Sequence, residues 1–249
     1  VDSTSVWRQK DRPLGQWDGI LKHPVFRNLG AEVGMVADPK LVNYKNAHYT
    51  VKFLSELPPP PYPFEVNKSK ADRGEKIYKK ACQSCHSVTK FIPLKRIKTD
   101  PYRALSLTPS GLKMVAKNLK IACEVGKKYN CNLPANEIVL DRTKNPGYIA
   151  MPHDGLWARA PYLHNGSVPT LYHLLVPSER PSSYRRGNIN YDTKNVGFEW
   201  RKGGKATYKT EYKGFSNRGH EDKKIFFGGI DFKKEKEKRE DLLEYLKTL

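Results

Sequence analysis

Residues 82 to 86 read Cys82-Gln83-Ser84-Cys85-His86, and few pentapeptides restrict a fold so far. Two thiols three positions apart can each add across a vinyl group of one haem, and the histidine after them then lies under the iron as an axial ligand. A chain that does this has to wrap a flat cofactor held by covalent bonds. Other uses of the pattern fit less well. A thioredoxin-like redox pair expects a βαβ setting, which is missing here. Half of a zinc site needs a second pair at matching spacing, yet Cys123 and Cys131 lie eight apart. One covalent haem c, on Cys82, Cys85 and His86, is the expectation.

The flanks agree. Small or apolar residues at 71, 74, 77, 78, 81, 82 and 85 follow helical spacing and predict a short amphipathic helix that brings both cysteines to one side of the cofactor. At the other end, Lys234 to Leu249 is a charged run followed by an apolar stripe at 242, 243, 246 and 249 with Tyr245. A terminal helix of that kind needs a partner surface, and Gly74 opposite Tyr245 is the candidate crossing point. A G-x-x-x-Y helix entering C-x-x-C-H, closed by such a terminal helix, resembles the class I cytochrome c fold.

Composition bounds the rest. A chain of 249 residues can bury a sizeable core, but 18 Pro, 18 Gly and 38% hydrophobic residues leave few long periodic segments. The expected fold is therefore mainly α, a class I cytochrome c-like haem domain with long irregular loops. Residues 1–63 read as an irregular N-terminal extension that ends in the Pro58-Pro59-Pro60-Pro61-Tyr62-Pro63 run, a stiff connector without helix. Residues 64–249 read as the cytochrome domain. His23 and His48 in the extension are expected on the surface or in hydrogen bonds rather than as ligands.

No apolar run approaches the roughly 20 residues of a membrane span. No signal-type segment opens the sequence, so an export signal, if the protein had one, is expected to have been removed. Cys123 and Cys131, an even pair around a turn-like Gly126, are expected to form a disulfide worth about 2.5 kcal/mol in the chain-entropy model, with two free thiols as the alternative. That reading places the protein in the periplasm or another exported compartment.

The formal charge of +19 is spread along the chain, with density at Lys79-Lys80, Lys95 to Lys98, Lys113 to Lys128 and Lys233 to Arg239. Such a surface steers anionic partners. Without a helix-turn-helix, an RNP-type strand or zinc-finger spacing, acidic redox proteins are the expected partners ahead of nucleic acid.

The run Ala160-Pro161-Tyr162-Leu163-His164-Asn165-Gly166-Ser167-Val168-Pro169-Thr170-Leu171 resembles the A-P-Y-x-H-[ND]-G-S-x-x-T-L signature of dihaem cytochrome c peroxidases and their relatives. Val176 to Pro181, Gly187 to Phe198 and Gly214-Phe215-Ser216-Asn217-Arg218-Gly219-His220-Glu221 are similar to the rubber-oxygenase-like branch of that superfamily. The resemblance implies that His220 is the second axial ligand of the C-terminal haem. It covers roughly residues 57 to 249, with one departure: those proteins carry two C-x-x-C-H motifs and this chain carries one.

In such relatives the N-terminal haem reacts with oxygen or peroxide and the C-terminal haem passes electrons. The resemblance therefore implies an electron-transfer protein or subunit with a bis-His iron, the counterpart of one half of a two-haem enzyme, either cut from it, paired with a separate subunit, or working alone. The alternative is part of a haem peroxidase or oxygenase, with His153 or Glu221 as acid-base groups.

Met151, in a Pro-bounded loop, is the alternative distal ligand, and sulfur there would raise the potential relative to two histidines. His153, His164 and His173 crowd the same region. His164 is read either as catalytic or, with Asn165, as pinning its loop by hydrogen bonds beside the haem edge. Trp157 is a candidate for packing on the porphyrin. Arg159 is a candidate for pairing with a propionate through its planar fork, or one more surface charge.

Overall fold

The computed structural model describes residues 5–35, 38–125 and 138–249. Helices make up most of its regular structure: α1 (Pro24–Met35), α2 (Tyr44–Glu56), α3 (Lys68–Ala81), α4 (Gln83–His86), α5 (Leu94–Ile97), α6 (Tyr102–Leu105), α7 (Pro109–Val125), α8 (Leu171–Leu175), α9 (Lys223–Phe226) and α10 (Lys236–Leu246). The strands among the described residues form four two-stranded antiparallel ladders. One of them lines the site: β1 (Lys90–Pro93) pairs with β2 (Gly147–Ala150).

The helix before the cysteines starts where its cap puts it. The Asn67 side chain accepts from Lys70 N at 3.0 Å, satisfying one of the open N–H groups of the first turn. α3 buries Ala71, Gly74, Tyr78 and Ala81, and breaks at Cys82, from which α4 carries Cys85 and His86. Its partner is α10, which buries Leu242, Leu243 and Leu246. A Cβ added at Gly74 would lie 2.0 Å from the Asp241 carbonyl oxygen and 2.8 Å from Tyr245 Cβ, so the two backbones touch where only glycine fits. Beside the crossing, Arg73 grips the buried Asp241 carboxylate with two hydrogen bonds of 2.8 and 2.7 Å.

The expectation of an irregular segment over residues 1–63 is corrected by α1 and α2. Pro24 occupies the first position of α1, where its missing N–H costs nothing. The Asn43 side chain caps α2, which ends just before Leu57-Pro58, since a residue ahead of proline avoids helical backbone. Ile20, Leu21, Phe26, Leu29, Val42, Tyr44 and Ala47 share a hydrophobic core with Leu112 and Leu119 of α7 and with Ile138 and Val139. The proline run itself holds no helix or strand. A second core joins Tyr78, Leu156, Tyr162, Val168, Leu171, Val196, Phe232 and Leu242. The expected Cys123–Cys131 disulfide lies outside the described residues.

Candidate functional site: a histidine-lined cavity

Between α3–α4, the β1–β2 ladder, α8 and the loop ending at His220 lies a cavity whose walls are mostly apolar: Ala81, Ile92, Ile149, Leu156, Leu171, Leu174, Leu175 and Phe227 among them. Cys82 and Cys85 line it and are unpaired thiols. His86, His153, His164 and His220 line it too.

The β1–β2 register, Lys90 against Ala150 and Pro93 against Gly147, delivers Met151 to His86. His86 Nδ1 lies 2.9 Å from the Met151 carbonyl oxygen. A carbonyl only accepts, so Nδ1 carries the proton and Nε2 keeps its lone pair, aimed away from Met151. This is the partner that orients a metal-bound imidazole and fixes its tautomer.

The His86 and His220 rings are 6.4 Å apart, centroid to centroid, and within 26° of parallel. An ion held between two imidazole nitrogens at about 2 Å each, with the rings' own half-widths added, sets centroids roughly 6 Å apart. His153 stacks on His86 at 3.8 Å and 29°, too close for a metal between them.

Burial keeps these rings neutral. It pushes His86 down to about 4, helped by the Arg159 cation and opposed by the Met151 hydrogen bond. It likewise pushes His220 down to about 3, with smaller contributions from His86 and Arg180, and holds His153 well below the usual imidazole range. Neutral imidazoles are the form that binds metal. The Nδ1 atoms of His153 and His220 and Nε2 of His164 are buried without a hydrogen-bond partner.

The other sequence candidates divide. Met151 lines the cavity and is buried. Arg159 lines it, but Trp157 does not. Both sit in the 3-10 turn Leu156–Arg159, where residues three apart eclipse. Leu156 and Arg159 therefore share the cavity side while Trp157 turns away, donating Nε1–H to Pro60 O at 3.1 Å and packing edge-on to Tyr62 at 5.5 Å. The expected porphyrin contact of Trp157 is corrected accordingly.

His164 is corrected in part. Its ring stacks on Tyr148 at 4.0 Å, while the loop-pinning hydrogen bonds come from Asn165 Nδ2, to Gly214 O at 3.3 Å and Ser216 O at 2.9 Å. His173 is a capping partner instead, its Nδ1 2.7 Å from Thr170 Oγ1. His23, His48 and Glu221 do not line the cavity.

Sequence reasoning missed Trp17 and Arg96, both of which line the cavity. Trp17 arrives through its main chain, whose carbonyl accepts from Ile149 N at 2.8 Å, and no local motif announces that contact.

Residues 147–185 match the family model described as RoxA-like, cytochrome c-like. The chain resembles a RoxA-like c-type cytochrome domain. The matched stretch holds strand β2, Met151, His153, Arg159 and His164. Two proteins of Sinorhizobium fredii (strain NBRC 101917 / NGR234) are similar to the chain. The uncharacterized protein y4iM is 39% identical over 212 residues, covering 80% of this chain and 49% of that protein. The uncharacterized protein y4iJ is 28% identical over 248 residues, covering 78% of this chain and 41% of that protein. The chain thus spans about half or less of the length of these relatives.

A cytochrome c-like domain implies haem c, and the residues present fit that group. Two unpaired thiols, an imidazole with a fixed tautomer and apolar walls stand together around one cavity. Cys82 and Cys85 would hold its edge and His86 one axial position.

Proposed function

We propose that the chain is an electron-transfer cytochrome with one covalent haem c, six-coordinate with His86 and His220, in a domain of the class I type. The parallel pair of rings at 6.4 Å carries this reading. Met151 fits the distal position less well. Its carbonyl sits on the Nδ1 side of His86, away from Nε2. The α3–α10 crossing at Gly74 supports the class I arrangement.

When bound, haem c supplies the one-electron chemistry. The protein sets its potential through ligands and burial, and keeps water and small ligands away from the metal. The +19 surface favours an acidic redox protein or a haem-bearing partner subunit. Haem attached through Cys82 and Cys85 would suit the periplasm or another exported compartment. Among the described residues no helix is long and apolar enough to cross a membrane.

The test is the spectrum of the haem-loaded chain. Low spin in both oxidation states, unchanged by peroxide, cyanide or carbon monoxide, is expected. His220→Ala should turn the site high spin, and an unchanged spectrum would reject His220 as ligand.

A second reading, a portion of a haem peroxidase or oxygenase, has one observation in its favour. His153 brings a buried Nδ1 without a hydrogen-bond partner to the cavity, beside His86. Rapid carbon monoxide binding by the unaltered protein would favour it.

A further inference from the structure

The loop that ends at His220 has no helix or strand of its own over residues 214–220. His220 has φ +57°, in the left-handed region that residues with a Cβ avoid, and Gly219 before it has φ +122°. A segment built this way does not hold a side chain in place unaided. Something outside the loop fixes it.

Arg180, which follows α8 in the chain, reaches it. Its Nε donates to His173 O at 2.9 Å and its Nη2 to Leu174 O at 3.2 Å, two carbonyls in the last turn of α8. Such carbonyls have no partner within the helix and favour a cation. Its Nη1 donates to Asn217 O at 2.5 Å and Gly219 O at 2.8 Å, immediately before His220. Every acceptor is a neutral main-chain oxygen. Leu174 and Leu175 of α8 line the cavity, whereas Arg180 does not. One guanidinium therefore ties a wall of the cavity to the residues that carry His220.

We propose that Arg180 is a positioning residue that locks His220 in its place opposite His86 and so keeps the site closed to small external ligands. The inference rests on the reading of His220 as the distal ligand. The rigid fork of arginine suits the task, since it serves two elements at once; lysine, whose three donors all sit on one nitrogen, does not. Thr99 Oγ1, donating to Arg218 O at 2.8 Å, and Asn217 Nδ2, donating to Pro181 O at 3.1 Å, hold the same loop from either side but do not bridge it to α8.

The experiment compares the haem-loaded parent chain with Arg180→Ala, Arg180→Gln and His220→Ala, reading spin state and the rate of carbon monoxide binding to the reduced protein. Both Arg180 variants should gain a high-spin fraction. They should bind carbon monoxide faster by at least about tenfold, the factor one charge-assisted hydrogen bond carries. Added free imidazole should return them to low spin.

If His220→Ala is high spin while Arg180→Ala and Arg180→Gln match the parent, the positioning role is overturned and the ligand reading stands. If His220→Ala stays low spin, the ligand reading fails and the Arg180 role with it. Should Arg180→Ala not accumulate as folded protein, Arg180→Gln decides: faster carbon monoxide binding supports the role, and a parent-like rate overturns it.

Discussion

Gly74 of α3 lies so near Asp241 of α10 that an added Cβ would stand 2.0 Å from the Asp241 carbonyl oxygen. That oxygen is main chain, so relief requires the helices to move apart. Gly74→Ala should cost about 1–3 kcal/mol, the usual range for overpacking, in spite of alanine's better helix propensity. Equilibrium denaturation would show it as a lowered midpoint at constant slope. A midpoint at or above that of the parent would mean that the crossing is looser than described.

Leu242, on the same face of α10, has no exposed surface. Leu242→Ala should destabilise by about 2–5 kcal/mol. Loss of less than half the lower figure in a denaturant titration would place Leu242 outside the core.

Met151 serves His86 through its main-chain carbonyl. Met151→Ala should therefore leave the haem-loaded protein low spin, with its thermal midpoint lowered by the cavity. A high-spin spectrum would restore Met151 as a ligand.

Trp157 binds the proline run rather than the cavity. Trp157→Phe, which removes one hydrogen bond, should cost about 0.5–1.5 kcal/mol and leave the haem absorption bands in place. Displaced bands would return Trp157 to the cofactor.

Lys70 of α3 holds the Glu240 carboxyl of α10 below its ordinary value of 4.5 through a hydrogen bond of 2.6 Å. A carboxyl depressed in the folded state contributes stability above its unfolded value and loses it as pH falls through the folded one. Lys70→Met should then lower stability at neutral pH, with the difference from the parent shrinking below pH 4.5. Both groups are solvent-exposed, so salt should shrink it too. Stability curves at two pH values and two salt concentrations measure both trends.

Much of α3, α4 and α10 was legible because the segments carry local evidence: small or apolar residues at helical spacing, the C-x-x-C-H run, an apolar stripe, and a glycine where two backbones meet. The two N-terminal helices were not. Within α2, Tyr44 and Ala47 are buried while Tyr49 and Phe53 are exposed, so no clean apolar stripe marks its inner face. In α1, Pro24 reads as a breaker although it begins the helix.

At the site, His86 and the histidine motifs announce themselves locally. Trp17, Arg96 and the side on which Trp157 falls depend on contacts between distant segments and on the phase of one 3-10 turn. Arg180 stood within a quoted motif, but its four acceptors lie in two elements that only the fold brings together.

The stack of His153 on His86 bears on how the chain reaches this state. Position 153 is 67 residues from position 86 and position 220 is 134 residues from it, a twofold difference in loop length. Closing the longer loop costs about 0.6 kcal/mol more in chain entropy, before the strained backbone at His220 is formed. On the proposed ligation, His153 closes the shorter loop to His86 and competes with His220 during folding. His153→Ala should then refold faster than the parent, and equal traces would remove His153 as the competitor. The proposed distal histidine is thus the one whose arrival asks most of the chain's entropy.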